Sequence, residues 1–157
     1  LINAPLTLYH TTVKTEWIDN NGHMNVAYYV MIGDHATDKF FDYLGMDNSY
    51  CTNHKRSNFA LDMRIIYLKE LMEDAPVKVR TQLLDFDTKR IHFLHYIDHA
   101  HENFTACLNE SVGIHVDMVH RKSTNFPINV YERIKKVAQE HQKIPIPESL
   151  DRTIGIG

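Results

Sequence analysis

One long amphipathic segment near the start of the chain restricts the possible folds more than any other feature. From Val26 to about Leu44, apolar or small residues recur at the spacing that places them on one face of a helix. Gly33 and Thr37 lie in the middle of that face, where small side chains would let a packed sheet approach closely. Gly45 follows the last apolar residue and predicts the end of the helix.

Five segments have the composition and alternation of β-strands. The first precedes the helix and the other four follow a polar connection over 46–58; they are about 8–17, 59–68, 76–86, 90–99 and 105–119. Residues 85–89 predict a hairpin turn between the third and fourth strands. This order predicts an α+β fold in which a single antiparallel sheet covers one long helix. Because one helix cannot cover both faces of such a sheet, we expect two subunits to pair.

Length and composition narrow the class further. The 157 residues suit one domain with a sizeable core, and we interpret 1–157 as that domain, with a core over about 8–120 and a C-terminal helix and tail over about 128–157. The net charge of −3 argues against a protein that binds nucleic acid by neutralising phosphates. No membrane span or signal peptide is recognisable. Cys51 and Cys107 lie far apart without a motif, as is typical of free thiols in a cytoplasmic protein.

The richest chemistry lies in the seven residues directly before the helix. Asp19–Asn25 reads Asp-Asn-Asn-Gly-His-Met-Asn, so a carboxylate, carboxamides and an imidazole surround Gly22. These are also the usual residues of a tight turn, and Asn25 is an ordinary helix N-cap. A turn needs neither a histidine nor a polar side chain at every second position. The alternation of Asp19, Asn21 and His23 therefore favours a catalytic site.

The position of this segment at a helix start indicates how it could act on a carbonyl group. Gly22 gives the backbone freedom that a sharp entry into the helix requires. The free amides of the first turn, from about Met24 to Val26, would stabilise negative charge developing on the carbonyl oxygen. Asp19 could then activate water as a general base or attack the carbonyl itself. Neighbouring polar side chains would share proton handling or orient the nucleophile (His23, Asn21, Asn25).

The same residues resemble a known family. The pattern Asp19-x-Asn21-Gly22-His23-Met24-Asn25-x-x-x-Tyr29, opening a long helix before four strands, is similar to the hotdog-fold acyl-CoA thioesterases of the 4-hydroxybenzoyl-CoA thioesterase type. The alternation of Asp, Asn and His also resembles that of plant acyl-ACP thioesterases. The likeness covers about 11–118. A narrower similarity, to the thioesterases of carnitine breakdown that act on betainyl-CoA, rests on Asn21–Val30, Leu83–His92 and His115–Asp117.

This resemblance implies a cytoplasmic hotdog thioesterase that hydrolyses a small acyl-CoA, or betainyl-CoA under the narrower similarity. It implies at least a dimer with the active site at the subunit interface, and leaves open whether dimers pair into tetramers. It places the catalytic carboxylate on Asp19 and the oxyanion amide on Val26. It implies no metal, no cofactor besides the CoA of the substrate, and no nucleic-acid or membrane partner. The 4-hydroxybenzoyl prototype has apolar residues at the positions of His23 and Asn25, and this difference favours Asp19 as a base.

Aromatic and basic residues are further candidates for substrate binding. Trp17, Tyr28 and Tyr29 flank the turn and could form a cation–π box around a trimethylammonium group. Core packing is the alternative, above all for Tyr29. Lys89 and Arg90 lie beside the predicted hairpin and could hold the CoA phosphates, with solvated surface charge as the alternative.

Glu110 is a second-tier candidate because its carboxylate interrupts an apolar strand face shared with Leu108 and Val112. Buried carboxylates tend to be paired or functional, although a solvent-exposed edge is also possible here. His92 and His95 are three apart on a strand and therefore point to opposite faces, so they do not predict a metal site.

Two rival functions remain open at the level of the sequence. Hotdog proteins include hydratases and dehydratases that act on acyl thioesters with a histidine and a carboxylate in a similar place. A non-catalytic acyl-CoA binding module would keep the groove but show no turnover. The preferred acyl group is not determined by the residues.

Overall fold

The computed structural model describes residues 1–156 and shows an antiparallel sheet curled around one long helix. The strands are β1 (Leu6–Thr12), β2 (Arg56–Tyr67), β3 (Pro76–Phe86), β4 (Arg90–His99), β5 (Thr105–Asp117) and β6 (Lys122–Ser123). The helices are α1 (Val26–Tyr43), α2 (Asn48–His54) and α3 (Ile128–His141), with 3-10 turns at Thr15–Trp17 and Glu148–Asp151. The strand order is β1-β3-β4-β5-β2, with β6 beside β5, and all pairs are antiparallel. The predicted α+β class is confirmed.

Most element boundaries agree with the sequence pattern. Strands β3 and β4 have the predicted ends, and α1 begins at Val26 and is followed by Gly45 at a φ of 92°. The first strand ends at Thr12 and not near Trp17, because Thr15–Trp17 turn into a 3-10 helix. The polar connection over 46–58 contains α2 and the first residues of β2.

Helix α1 lies unusually close to the sheet at Gly33. A Cβ placed on Gly33 would come within 2.1 Å of Asn109 Nδ2 on β5. One turn further on, Thr37 Oγ1 donates to the Gly33 carbonyl at 2.9 Å and lies 2.9 Å from His95 Nε2, while Thr81 Oγ1 lies 2.8 Å from His95 Nδ1. Complete burial lowers the pKa of His95 to about 3, so the imidazole is neutral. Because the Thr37 hydroxyl proton is already used, Nε2–H donates to Thr37 and Thr81 donates to Nδ1.

The faces of β5 are used differently from what the apolar pattern suggests. Leu108, Val112 and Glu110 share the face that points away from α1, while the buried polar residues Asn109 and Ser111 point toward it. Ser111 Oγ donates to Asn109 Oδ1 at 3.0 Å. Small and polar side chains fit on this face because α1 approaches it so closely.

Helix α3 and the C-terminal tail cover further parts of the sheet. The buried face of α3 packs in one cluster with Phe40 of α1, through Val130, Ile134 and Val137. The tail then crosses the outer face of the sheet, where the Arg64 guanidinium donates to the carbonyls of Leu150 and Arg152, each at 2.7 Å. Within residues 1–156 no helix is long and apolar enough to span a membrane.

Strand β2 is an edge strand with an exposed apolar surface. Five large apolar side chains on or just after it keep between 39% and 56% of their surface exposed, namely Phe59, Leu61, Met63, Tyr67 and Leu68. The outer edge of β2 pairs with no other strand of the described residues. An edge strand of this length and composition is unusual on a free surface.

Candidate active site

The polar segment before α1 is a compact turn held by backbone hydrogen bonds. The Asp19 carbonyl accepts from the Gly22 amide at 3.0 Å, and the Asp19 amide donates to the His23 carbonyl at 3.2 Å. Gly22 has a φ of 80°, a left-handed conformation that disfavours any residue with a Cβ. The Asn25 amide donates to the Trp17 carbonyl at 2.9 Å, which ties the end of the turn to the preceding 3-10 helix.

Asp19 is partly exposed and held in its ionised form. Its Oδ1 accepts from the Asn21 backbone amide at 2.8 Å, and its Oδ2 accepts from Asn25 Nδ2 at 3.2 Å. The Asn21 amide lowers the pKa of Asp19 most, and the Asn25 side chain and the nearby His23 lower it further. Asn21 thus contacts the carboxylate through its backbone amide while the residue is exposed, and its role in orienting the nucleophile stays a prediction.

Asn25 connects this carboxylate to the helix. Its Oδ1 accepts from the Ala27 amide at 3.0 Å, which is the N-cap bond, while its Nδ2 donates to Asp19. The side chain of Asn25 thus caps the helix and holds the Asp19 carboxylate, and its role in orienting the nucleophile stays a prediction.

Val26 presents the free amide of the first helical turn. Its N–H has no acceptor among residues 1–156, and the residue is 52% exposed. The Met24 amide donates to the Leu71 carbonyl at 2.8 Å, and the Met24 side chain is fully buried. Met24 therefore cannot offer a free amide, which corrects its assignment to the oxyanion hole. The N-terminal end of α1 therefore has both an ionised carboxylate, from Asp19, and a free backbone amide, from Val26.

His23 is next to Asp19 but not bonded to it. Its Nδ1 lies 3.1 Å from the Met24 carbonyl, and no hydrogen bond joins it to Asp19 in the described part of the chain. The imidazole lines a cavity of about 260 Å³ together with Val26 and Tyr29. His23 is therefore not hydrogen-bonded to the carboxylate that it is predicted to assist, because its Nδ1 lies at the Met24 carbonyl. Its share in proton handling stays a prediction.

The opposite wall of this cavity comes from residues 67–70, which the sequence pattern did not single out. Tyr67 donates its hydroxyl hydrogen to the Val26 carbonyl at 3.1 Å, and Glu70 lies beside it. In the sequence, Tyr67 is one of several alternating apolar residues of a predicted strand, and nothing local distinguishes it from the others. Its role depends on the end of β2 meeting the start of α1, a contact between residues 41 apart that no local pattern reports.

Comparison of the sequence with known protein families identifies a family of enzymes that act on thioesters. The model of the thioesterase-like superfamily matches residues 13–153. The chain belongs to this superfamily.

Individual relatives support the same assignment. A betainyl-CoA thioesterase of Pseudomonas aeruginosa is 35% identical over 151 residues, covering 96% of this chain and 95% of the relative. A hypothetical protein of Staphylococcus aureus solved in complex with CoA superposes with a TM-score of 0.90 at 25% identity, covering 99% of this chain and 98% of that one. A putative thioesterase of Pseudomonas putida superposes at 0.84 with 30% identity and covers 99% of each chain. The hotdog fold and the thioester hydrolase class are thereby confirmed.

The three aromatic residues proposed to hold a cationic acyl group do not form an open box in this thioesterase. Trp17 is only 7% exposed and stacks on Tyr28, with centroids 5.4 Å apart and planes at 18°. The Lys14 ammonium lies 5.4 Å from the same indole. Tyr29 is buried, and its hydroxyl oxygen accepts from the Leu71 amide at 3.0 Å. Trp17 and Tyr28 pack in the core beneath the turn, which corrects their assignment to the substrate. Tyr29 also lines the cavity beside Val26, so its contact with the substrate stays a prediction.

Lys89 and Arg90 lie far from Asp19 in the same chain. Arg90 pairs with Ile114 on β5, whereas Tyr67, at the site, pairs with Cys107 on the same strand. These β5 positions are seven residues apart in sequence, which corresponds to about 23 Å at roughly 3.3 Å per residue. Arg90 bonds Asp87 at 2.7 Å, and Lys89 Nζ donates to Ser123 Oγ at 3.3 Å. A separation of this size argues against contact between these residues and the thioester group at this chain's own Asp19. Their role in holding the CoA phosphates stays a prediction.

Glu110 belongs to an ion-pair cluster on the outer face of the sheet. It accepts from Arg64 Nη2 at 2.7 Å and from Nε at 3.0 Å, and its other oxygen lies 2.9 Å from His92 Nε2. Glu110 faces away from α1 and from the Asp19 turn. It is a paired structural carboxylate, and the catalytic interpretation is corrected. His92 and His95 point to opposite faces as predicted.

A second, larger cavity of about 490 Å³ runs along the exposed side of α1. Three carboxylates one turn apart line it, namely Asp34, Asp38 and Asp42. Burial raises the pKa of Asp38, and its two acidic neighbours raise it further. Within residues 1–156 no group of three or more His, Cys, Asp or Glu side chains is arranged to hold a metal ion.

Proposed function

We propose that this chain hydrolyses a small acyl-CoA to a free acid and CoA, with Asp19 as the general base. The observation that carries the proposal is the ionised Asp19 carboxylate at the helix end where the Val26 amide is free. Asp19 takes a proton from water, and the resulting hydroxide attacks the thioester carbon. The Val26 amide stabilises the oxyanion of the tetrahedral intermediate. When this intermediate collapses, CoA leaves as a thiolate and then takes up a proton.

The proposed acyl group is betainyl or a close analogue. This choice is supported by the identity of 35% with a betainyl-CoA thioesterase over nearly the full length of both chains. It is also supported by a second relative, an L-carnitine dehydrogenase/betainyl-CoA thioesterase of Rhizobium meliloti, which is 30% identical over 153 residues; this chain spans 31% of that longer protein.

The test of the proposed mechanism is a thiol-release assay with Asp19→Asn. We expect kcat to fall at least ~100-fold, the lower end of a general-base contribution, with the fold unchanged by circular dichroism. Asp151→Asn, an exposed carboxylate in the tail, removes the same charge and serves as the control. Wild-type turnover in Asp19→Asn would refute Asp19 as the base.

Two further assays address the alternatives. Turnover in ¹⁸O-labelled water followed by mass spectrometry of the protein distinguishes the roles of Asp19, because only a nucleophilic carboxylate acquires the label. Hydration of crotonyl-CoA without thiol release would favour a hydratase. Tight binding of acyl-CoA without any turnover would favour a binding module.

We infer that the functional unit is a cytoplasmic homodimer joined along β2, with the site completed by the second subunit. The exposed apolar residues of this edge strand support the pairing. The chain's own Lys89 and Arg90 lie about 23 Å from the site along β5. We propose that basic residues of the second subunit help to hold the CoA phosphates.

A further inference from the structure

The cavity beside the Val26 amide has one wall that combines an aromatic ring with an unpaired carboxylate. Residues 67–70 supply the ring of Tyr67, 48% exposed, and the exposed carboxylate of Glu70. No salt bridge or side-chain hydrogen bond engages Glu70 within residues 1–156. The neighbouring Lys69 does not neutralise it, because its ammonium lies 4.1 Å from the centroid of the Phe104 ring.

Three hydrogen bonds fix this wall against the helix start. Tyr67 donates to the Val26 carbonyl at 3.1 Å, the Leu71 carbonyl accepts from the Met24 amide at 2.8 Å, and the Leu71 amide donates to Tyr29 Oη at 3.0 Å. These bonds bracket Glu70 on both sides in sequence. The segment is therefore a preorganised part of the site, although Glu70 itself is on the surface.

We propose that Tyr67 and Glu70 form the subsite that recognises a quaternary ammonium group on the acyl chain. This inference rests on the proposed function. Rings and carboxylates are the groups that attract such a cation, the ring through its negative face and the carboxylate through its charge. An ammonium that cannot donate a hydrogen bond needs this kind of contact.

The distances in the substrate agree with this position. In a betainyl ester one methylene separates the carbonyl carbon from the nitrogen, so two bonds of about 1.5 Å join them. With the carbonyl oxygen at hydrogen-bond distance from the Val26 amide, about 3 Å, the cation is near enough to reach the adjoining cavity. Tyr67 and Glu70 line this cavity.

The other acidic surface of the chain is too far away to serve the same site. Asp34 is the first of the three helix carboxylates in the larger cavity and follows Val26 by eight residues. At 1.5 Å per residue it lies about 12 Å along the helix, well beyond a nitrogen two bonds from the carbonyl carbon.

The test compares betainyl-CoA with 3,3-dimethylbutanoyl-CoA, a neutral ester of the same shape in which carbon replaces the nitrogen. The ratio of kcat/KM for the two esters isolates recognition of the charge. We expect the wild type to prefer betainyl-CoA and Glu70→Gln to lower the ratio about tenfold, which corresponds to about 1.4 kcal/mol. Tyr67→Leu should lower it as well, and Glu70→Lys should lower it more than Glu70→Gln. Glu102→Gln, an exposed carboxylate in the β4–β5 turn, should leave the ratio unchanged.

The outcomes separate this inference from the proposed function. A wild type that hydrolyses both esters equally, or a Glu70→Gln variant that slows both by the same factor, would refute the subsite while leaving a thioesterase. A wild type that releases no thiol from any CoA ester would refute the proposed function, and with it the subsite.

Discussion

At the scale of single residues, the site depends on side chains that perform two tasks. Asn25 caps α1 through Oδ1 and holds Asp19 through Nδ2. Any helix could use serine or aspartate as a cap, since these are as favourable as asparagine at this position. An ionised aspartate has no donor for the Asp19 carboxylate, and a serine hydroxyl is one bond shorter than the Asn25 carboxamide, so asparagine meets both requirements.

A pair of substitutions separates the two tasks of Asn25. Asn25→Ser keeps a capping oxygen but is too short to cap the helix and also reach Asp19 as Nδ2 does, so we expect stability to change by less than about 0.5 kcal/mol while kcat/KM falls about tenfold. Asn25→Ala loses both bonds and should cost about 1 kcal/mol more in stability. Urea unfolding and thiol release measure the two effects. Equal loss of stability in both variants would contradict the separation.

At the scale of elements, the residues of the turn, of α1 and of the central strands could be predicted because their signals are local. Gly22 at a φ of 80° and Gly45 at 92° are where glycine was expected. The wall from Tyr67 to Glu70 could not be predicted, since it depends on β2 ending beside α1. The orientation of Asn109 toward α1 was also missed, because the apolar residues of β5 occupy its other face.

The close approach of α1 to β5 leads to an element-scale prediction. In a helix interior alanine is more favourable than glycine by about 1 kcal/mol. At a solvent-exposed helix position, a substitution such as Gly33→Ala would therefore stabilise the protein. Here the new Cβ would lie 2.1 Å from Asn109 Nδ2 and 3.0 Å from Cγ, and Asn109 is buried with its Oδ1 bonded to Ser111. We therefore expect Gly33→Ala to destabilise the protein by about 1–2 kcal/mol.

The double variant Gly33→Ala, Asn109→Ala provides the control for that contact. If the clash is with Asn109, the two substitutions should cost less together than the sum of their separate costs, by at least about 1 kcal/mol in a double-mutant cycle. Additive costs, or a stabilising Gly33→Ala, would show that the helix and sheet are not in contact at this point.

At the scale of the whole molecule, the sheet is incompletely covered in one chain. Helix α1 fills the inner face, α3 packs beside it through Phe40, and the tail held by Arg64 crosses part of the outer face. The β2 edge keeps its backbone groups and its apolar side chains open. Natural sheets protect such edges with charge, proline or a partner strand, and β2 has an exposed leucine at its bulge.

The proposed dimer can be tested at that leucine. Leu61 is 56% exposed, so Leu61→Glu should leave the fold of one chain intact while placing a charge in the paired edge. We expect light scattering to show a dimer for the wild type and a monomer for the variant. We also expect kcat/KM of the variant for the preferred ester to be at least about tenfold lower, because each active site loses the second subunit. Ile128→Glu makes the same chemical change on the exposed start of α3 and should leave both mass and activity at the wild-type values. A monomeric wild type, or a dimeric Leu61→Glu variant with full activity, would mean that β2 is not the interface.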